Sequence, residues 1–174
     1  MQMSKNEDTA MTNDEILSQL ENIQSDDKPA ASEEKKIKYI LFNMDDKLYA
    51  MNGSFVQEII LGYPVFYLPF SPPYVRGLIN RHGDPYTVVD LKILFHDEEL
   101  KASTFLVLRN NIDNLAFLIS SINKIVNVPE NSIHPITSKQ DGMDFFESSI
   151  TLDNSEVFVI NIKTVLERIV NDIE

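Results

Sequence analysis

The side chains that most often carry out chemistry are sparse in this sequence and poorly placed for it. The three histidines are His82, His96 and His134. None stands in an HxH or HxxxH arrangement, which would bring two imidazoles to one metal ion. There is no cysteine. Thiolate metal sites, a cysteine nucleophile and a disulfide framework are therefore ruled out, and a reducing compartment suits the composition. The five glycines, Gly53, Gly62, Gly77, Gly83 and Gly142, are too far apart to cradle a phosphate. No GxSxG elbow presents a serine. Acidic neighbours such as Asp45-Asp46 and Asp97-Glu98-Glu99 fall in polar turns. Acid–base work by two carboxylates needs environments that push their pKa values apart, and a solvated turn supplies none. These residues predict no enzyme, no metal and no cofactor.

The elements that would position such residues are short strands. From residue 37 onward KYILFNM (38–44), KLYAM, PVFYL (64–68), PYTVVD (85–90), STFLVLR (103–109), LAFLIS (115–120), KIVNV (124–128) and EVFVI (156–160) are rich in Val, Ile, Phe and Tyr. In the first, Tyr39 and Leu41 alternate with Ile40, Phe42 and Met44, so a strand covered on both faces is expected. STFLVLR and LAFLIS flank Asn-Asn-Ile-Asp-Asn, a hairpin loop by composition. Strands at this density predict an all-β barrel or sandwich. One echo runs through them: TVVDLKILF (87–95) and FVINIKTVL (158–166) share a layout. Asp90 and Asn161 each stand where a strand stops and a helix starts, as capping residues do. The second helix has an apolar face of Ile162, Val165, Leu166, Ile169, Val170 and Ile173. The repeated corner suggests two similar lobes.

Composition divides the chain at residue 37. Residues 1–36 hold no aromatic residue and carry Asp or Glu at 9 positions against 4 lysines. A segment so poor in apolar area cannot offset its ordering entropy, so a mostly disordered tail is expected, with one possible short helix at 12–23. Residues 37–174 form the expected domain. The formal charge is −12, from 15 basic and 27 acidic residues. That field repels phosphate backbones and anionic lipid, so nucleic acid and membrane surfaces are poor partners. No apolar run approaches the roughly 18–20 residues of a span, and no signal peptide is read. A cytoplasmic protein is expected.

Against this background, YVRGLINRHGDPYTVVDLKILF (74–95) resembles the signature of CheW-like domains, the adaptor family of bacterial chemotaxis. Gly77, Asn80, Gly83, Val89, Asp90 and Leu91 stand at the matching positions. FVQEII (55–60) is similar to the family's Val-Gln-Glu-Ile segment, and LPFSPPYVRG (68–77) to its proline-bearing approach. NVPENSIHP (127–135) and VFVINIKTVL (157–166) resemble its later strands and final helix. The resemblance covers about residues 37–170.

The resemblance implies a mainly β fold of two intertwined five-stranded barrels, SH3-like, with short helices and a C-terminal helix. It implies an adaptor that binds the regulatory domain of a CheA-type histidine kinase and the cytoplasmic tip of methyl-accepting chemoreceptors, recruited to membrane-associated arrays without inserting into the membrane. A groove between the barrels would offer an apolar slot for a helical tip, and barrel edges could meet a like edge. Val56, Glu58, Ile59, Arg76, Gly77, Asn80, Arg81 and His82 become the interface candidates. As single residues, Val56 and Ile59 suit a core, Gly77 and Gly83 suit turns, and Asn80 suits a turn or cap. Glu58 and Arg76 are the stronger interface candidates, because charged side chains are seldom buried unless paired. The family's turn arginine is His82 here, with Arg81 where the family has leucine. A pair could therefore be Glu58–His82, which would make receptor coupling pH-dependent, or Glu58–Arg81 with the turn reshaped. Two alternatives stand beside the adaptor: a CheW-like paralogue serving a specialised array or another kinase pathway, and an unrelated small β-barrel enzyme.

Overall fold

Strands with apolar residues on both faces have to be covered twice, and the arrangement of this chain follows from that need. A computed structural model describes residues 34–109, 114–137 and 142–173. The tail expected over 1–36, with its helix at 12–23, lies outside these residues apart from its last three. The strands are β1 (Lys36–Met44), β2 (Lys47–Asn52), β3 (Val56–Leu61), β4 (Val75–Arg81), β5 (Asp84–Asp90), β6 (Thr104–Leu108), β7 (Leu115–Ile119), β8 (Ser121–Pro129), β9 (Ile133–Pro135), β10 (Phe146–Leu152) and β11 (Ser155–Ile160). Two helices join them, α1 (Leu91–His96) and α2 (Ile162–Ile173).

The strands form two sheets, ordered β8-β1-β2-β11-β10-β9 and β3-β6-β7-β5-β4. The first five strands of the longer order match the shorter order strand for strand, and β9 is additional. In each, the third and fourth strands pair in parallel, β2 with β11 and β7 with β5. In each, the fourth strand runs directly into a helix. The echoed corners are thus the same corner of two similar lobes. Asp90 caps α1 by accepting from the Lys92 and Ile93 amides, and the Asn161 side chain accepts from Thr164 N at the start of α2. The lobes are intertwined because β1 and β2 join β8–β11, while β3–β7 build the other sheet.

Both sheets curl. Val128 on β8 and Ile133 on β9, at opposite edges of the six-stranded sheet, pack into one cluster with Tyr39, Leu41 and Ile150. The alternate side of β1, with Ile40, Phe42 and Met44, faces a larger core that draws on both sheets and both helices. The six-stranded sheet exceeds the expected five by the three-residue β9.

One expected strand is corrected, and others were missed. PVFYL (64–68) is not a strand; only Phe66 bridges to Leu78, because Pro64 and Pro69 bracket it and withhold amides. β3 was not among the expected strands. β4 and β10, broken by polar residues and Gly77, escaped the pattern.

Candidate partner-binding surface

The five-stranded sheet begins at β3 and ends at β4, and these two edges share no ladder. Side chains join them instead. Arg81, last residue of β4, sends Nε to Glu58 Oε1 at 2.8 Å and Nη2 to Glu58 Oε2 at 2.7 Å. This is the two-pronged geometry that a planar guanidinium makes with a carboxylate. Arg81 Nη1 also donates to the Tyr63 hydroxyl, and the guanidinium carbon lies 5.4 Å from the centre of that ring. The side chains of the ion pair are 23% and 24% exposed, enough shielding to fix one geometry. The Arg81 hydrogen bond is the main force holding the Glu58 carboxyl below its ordinary range.

The pair is therefore Glu58–Arg81, and the alternative with His82 is corrected. β4 and β5 are joined by a two-residue turn in which His82 and Gly83 have φ of 54° and 95°. Two successive positive φ values are the backbone of a type I′ hairpin, which follows the strand twist. His82 is exposed there, and Asn80 Oδ1 accepts from Gly83 N at 3.1 Å. Arg81 in β4 thus reaches Glu58, while its neighbour His82 stands in the turn.

Gly77 is required by a neighbour. The backbone of the 62–74 connection crosses β4 there, with Phe66 N donating to Leu78 O and Leu78 N to Phe66 O, both at 2.8 Å. A Cβ at Gly77, where φ is 135°, would sit 2.2 Å from the Phe66 carbonyl oxygen. Val56 is buried, and Ile59 is half-buried against the main core. On β3 a partner can reach Gln57, Glu58 and Leu61 instead.

Arg76 also has partners inside the chain. It contacts Glu99 and lies 3.7 Å from Asp90, whose side chain is fully buried. Asp90 Oδ2 accepts from Leu100 N at 2.9 Å while Oδ1 caps α1. Burial pushes this carboxyl above its ordinary value, and the three amides with Arg76 hold part of that rise back. Glu58 and Arg76 are each satisfied internally, which supplies the reason for their partial burial.

The largest unforeseen feature is the β3–β4 connection. Residues 64–74, PVFYLPFSPPY, carry no charge. Phe66, Tyr67 and Phe70 are 60%, 79% and 102% exposed, although the backbone is tied at Phe66, by Ser71 Oγ to Leu68 O and by Val75 N to Pro72 O. A charge-free run between prolines was the available signal, and it reads equally well as a buried strand.

A groove of about 660 Å³ lies where the end of α1 meets β2, β10 and β11, with Tyr49, Phe95, Met143, Phe146 and Phe158 in its wall. Tyr49 Oη and His96 Nε2 stand 3.1 Å apart in it. None of the interface candidates lines it. Among the described residues no cluster of His, Asp and Glu is placed to hold a metal ion, and no helix is long and apolar enough to cross a membrane.

Comparison with known proteins identifies the family. The sequence profile of the CheW-like domain matches residues 38–170. The chemotaxis protein CheW of Helicobacter pylori is 22% identical over 139 residues, covering 78% of this chain and 84% of the relative. That of Treponema pallidum is 21% identical over 143 residues, covering 77% and 84%. The crystal structure of the scaffolding protein TtCheW from Thermoanaerobacter tengcongensis superposes with a TM-score of 0.67 at 21% identity, covering 72% of this chain and 89% of that one. At that identity the structural match speaks for the fold.

Proposed function

The chain belongs to the CheW-like domain family, and from that premise we propose that it couples chemoreceptor tips to a CheA-type histidine kinase within a signalling array. The family's proteins are non-enzymatic scaffolds of chemotaxis, so the activity to be explained is the holding of two partners at once. The observation that carries the reading is the family match across residues 38–170, nearly the whole described fold. The receptor side is assigned to strands β3 and β4 and the turn after β4, which carry Val56, Glu58, Ile59, Arg76, Gly77, Asn80, Arg81 and His82. The kinase side is assigned to another part of the double barrel, through the kinase's own regulatory domain. The protein would work in the cytoplasm at membrane-associated arrays.

Titration of the purified chain with a receptor cytoplasmic fragment, and separately with a kinase regulatory domain, tests the assignment. Saturable binding to both, with neither displacing the other, is expected. Failure to bind either, or mutual displacement, contradicts it. His82, standing where the resemblance expects an arginine, motivates one variant of this reading, a paralogue that serves a specialised array or another kinase pathway. Competition against a standard coupling protein for the same receptor fragment separates the two.

A further inference from the structure

We infer that the groove at the end of α1 is a binding site for a free aromatic α-amino acid, held by Lys47, Glu156 and a wall of rings. The site draws on β2, β10, β11 and α1 and takes no residue from β3 or β4. It stands independently of the adaptor reading.

The groove is built from both lobes. β2 and β11, neighbours in the six-stranded sheet, form one wall, and Phe95 and His96 of α1 bring the other lobe to it. The opening lies where α1 stops: that helix runs six residues and turns off at Asp97, where φ is 56°, whereas α2 runs twelve. The rings in the wall order one another. Tyr49 and Phe146 stack with centroids 5.9 Å apart, and Phe146 meets Phe95 and Phe158 at 5.3 Å each. Rings held in this way are preorganised, so a further ring can join them at little cost in ordering. The space open to it is about 660 Å³, within the range of small-molecule sites.

The charged groups call for the rest of the ligand. Tyr49 and Phe158 lie opposite each other where β2 and β11 pair in parallel. Lys47 and Glu156 stand two residues earlier on the same strands, and both line the groove. Side chains two apart in a strand share a face, and neighbouring strands lie about 4.8 Å apart. One ammonium and one carboxylate are thus set side by side, ahead of two rings. Among the described residues neither belongs to an ion pair. Burial, with Lys47 and Lys92 adding to it against Glu98, keeps the His96 imidazole below its ordinary 6.5. At neutral pH the imidazole therefore adds no charge, and Lys47 is the cation of the site.

An aromatic amino acid carries the complementary set, a carboxylate and an ammonium on one carbon and a ring one methylene away. Its carboxylate answers Lys47, its ammonium Glu156, and its ring the aromatic wall. An aromatic acid without the amine would bring its carboxylate close to Glu156 with nothing to offset the repulsion. An aromatic amine would meet Lys47 in the same way. An uncharged ring would strip water from both side chains and return no partner.

The test is calorimetric titration of the full chain with L-phenylalanine, 3-phenylpropanoate and phenethylamine. Saturable binding of L-phenylalanine is expected, with each truncated analogue weaker by about threefold to fivefold, as suits exposed charges. Lys47→Ala should bring L-phenylalanine down to the level of phenethylamine, and Glu156→Ala to that of 3-phenylpropanoate. Both side chains are exposed, so neither change should move the unfolding midpoint of the free protein. Bound L-phenylalanine touches both lobes and should raise that midpoint in the native chain. Absence of saturable binding, or equal affinity for the three compounds, overturns the proposal. So does binding of L-phenylalanine that survives both substitutions unchanged.

Discussion

Arg81 and His82 are adjacent, yet one closes a barrel and the other tops a hairpin. The resemblance put both among the interface candidates, and the choice of partner for Glu58 stayed open because strand register, invisible in one sequence, decides it. With arginine in the pair, the coupling to Glu58 has one titrating end. The Glu58 carboxyl is held below its ordinary value of 4.5, chiefly by the Arg81 hydrogen bond. A carboxyl lowered by folding stabilises the native state above its unfolded pKa, and that contribution fades as pH falls through the folded value. Glu58→Gln should therefore unfold more readily than the native chain at pH 7, the two converging as pH falls through the carboxyl's folded value. Thermal melts across that range check this. Asp90 was legible as a cap, but its second role was not, since Leu100 approaches only in three dimensions. Its two oxygens accept from three amides, and an asparagine would set NH₂ against one of these N–H groups. Asp90→Ala should cost about 2 kcal/mol or more in urea unfolding, and Asp90→Asn should restore only part.

Each helix leaves one sheet and is fastened by a tyrosine of the other. α2 follows β11, and the Tyr74 hydroxyl, just before β4, donates to Asp172 Oδ2 at 3.0 Å. α1 follows β5, and Tyr49 of β2 meets His96 at 3.1 Å. The exchange completes the pseudo-symmetry that the echo at 87–95 and 158–166 announced. Burial, with Asp172 adding to it, pushes the Tyr74 phenol up to about 12, so the hydroxyl remains a donor at neutral pH. Tyr74→Phe should lose about 1 kcal/mol of stability, the typical net worth of one such bond, measured by chemical denaturation. Strands apolar on both faces, β1, β6, β7 and β11, were plain in the sequence. β3, β4 and β10 were not, since Gln57, Glu58, Arg76, Gly77 and Ser148 interrupt their runs. The connection 64–68 was mistaken for a strand because exposed and buried aromatic residues look alike in one dimension.

At the scale of the molecule, a core shared by both sheets and both helices should make the lobes unfold together. Calorimetry should show one transition, with calorimetric and van't Hoff enthalpies in agreement. Two resolved transitions would mean that the lobes stand separately. A charge of −12 repels a phosphate backbone. An adaptor is defined by what it holds together. The most direct measurement is co-sedimentation of a kinase regulatory domain with receptor-bearing vesicles, with and without this protein. The account predicts that the kinase domain reaches the pellet in proportion to the adaptor added. Kinase domain that pellets equally in its absence, or never pellets in its presence, would contradict the account.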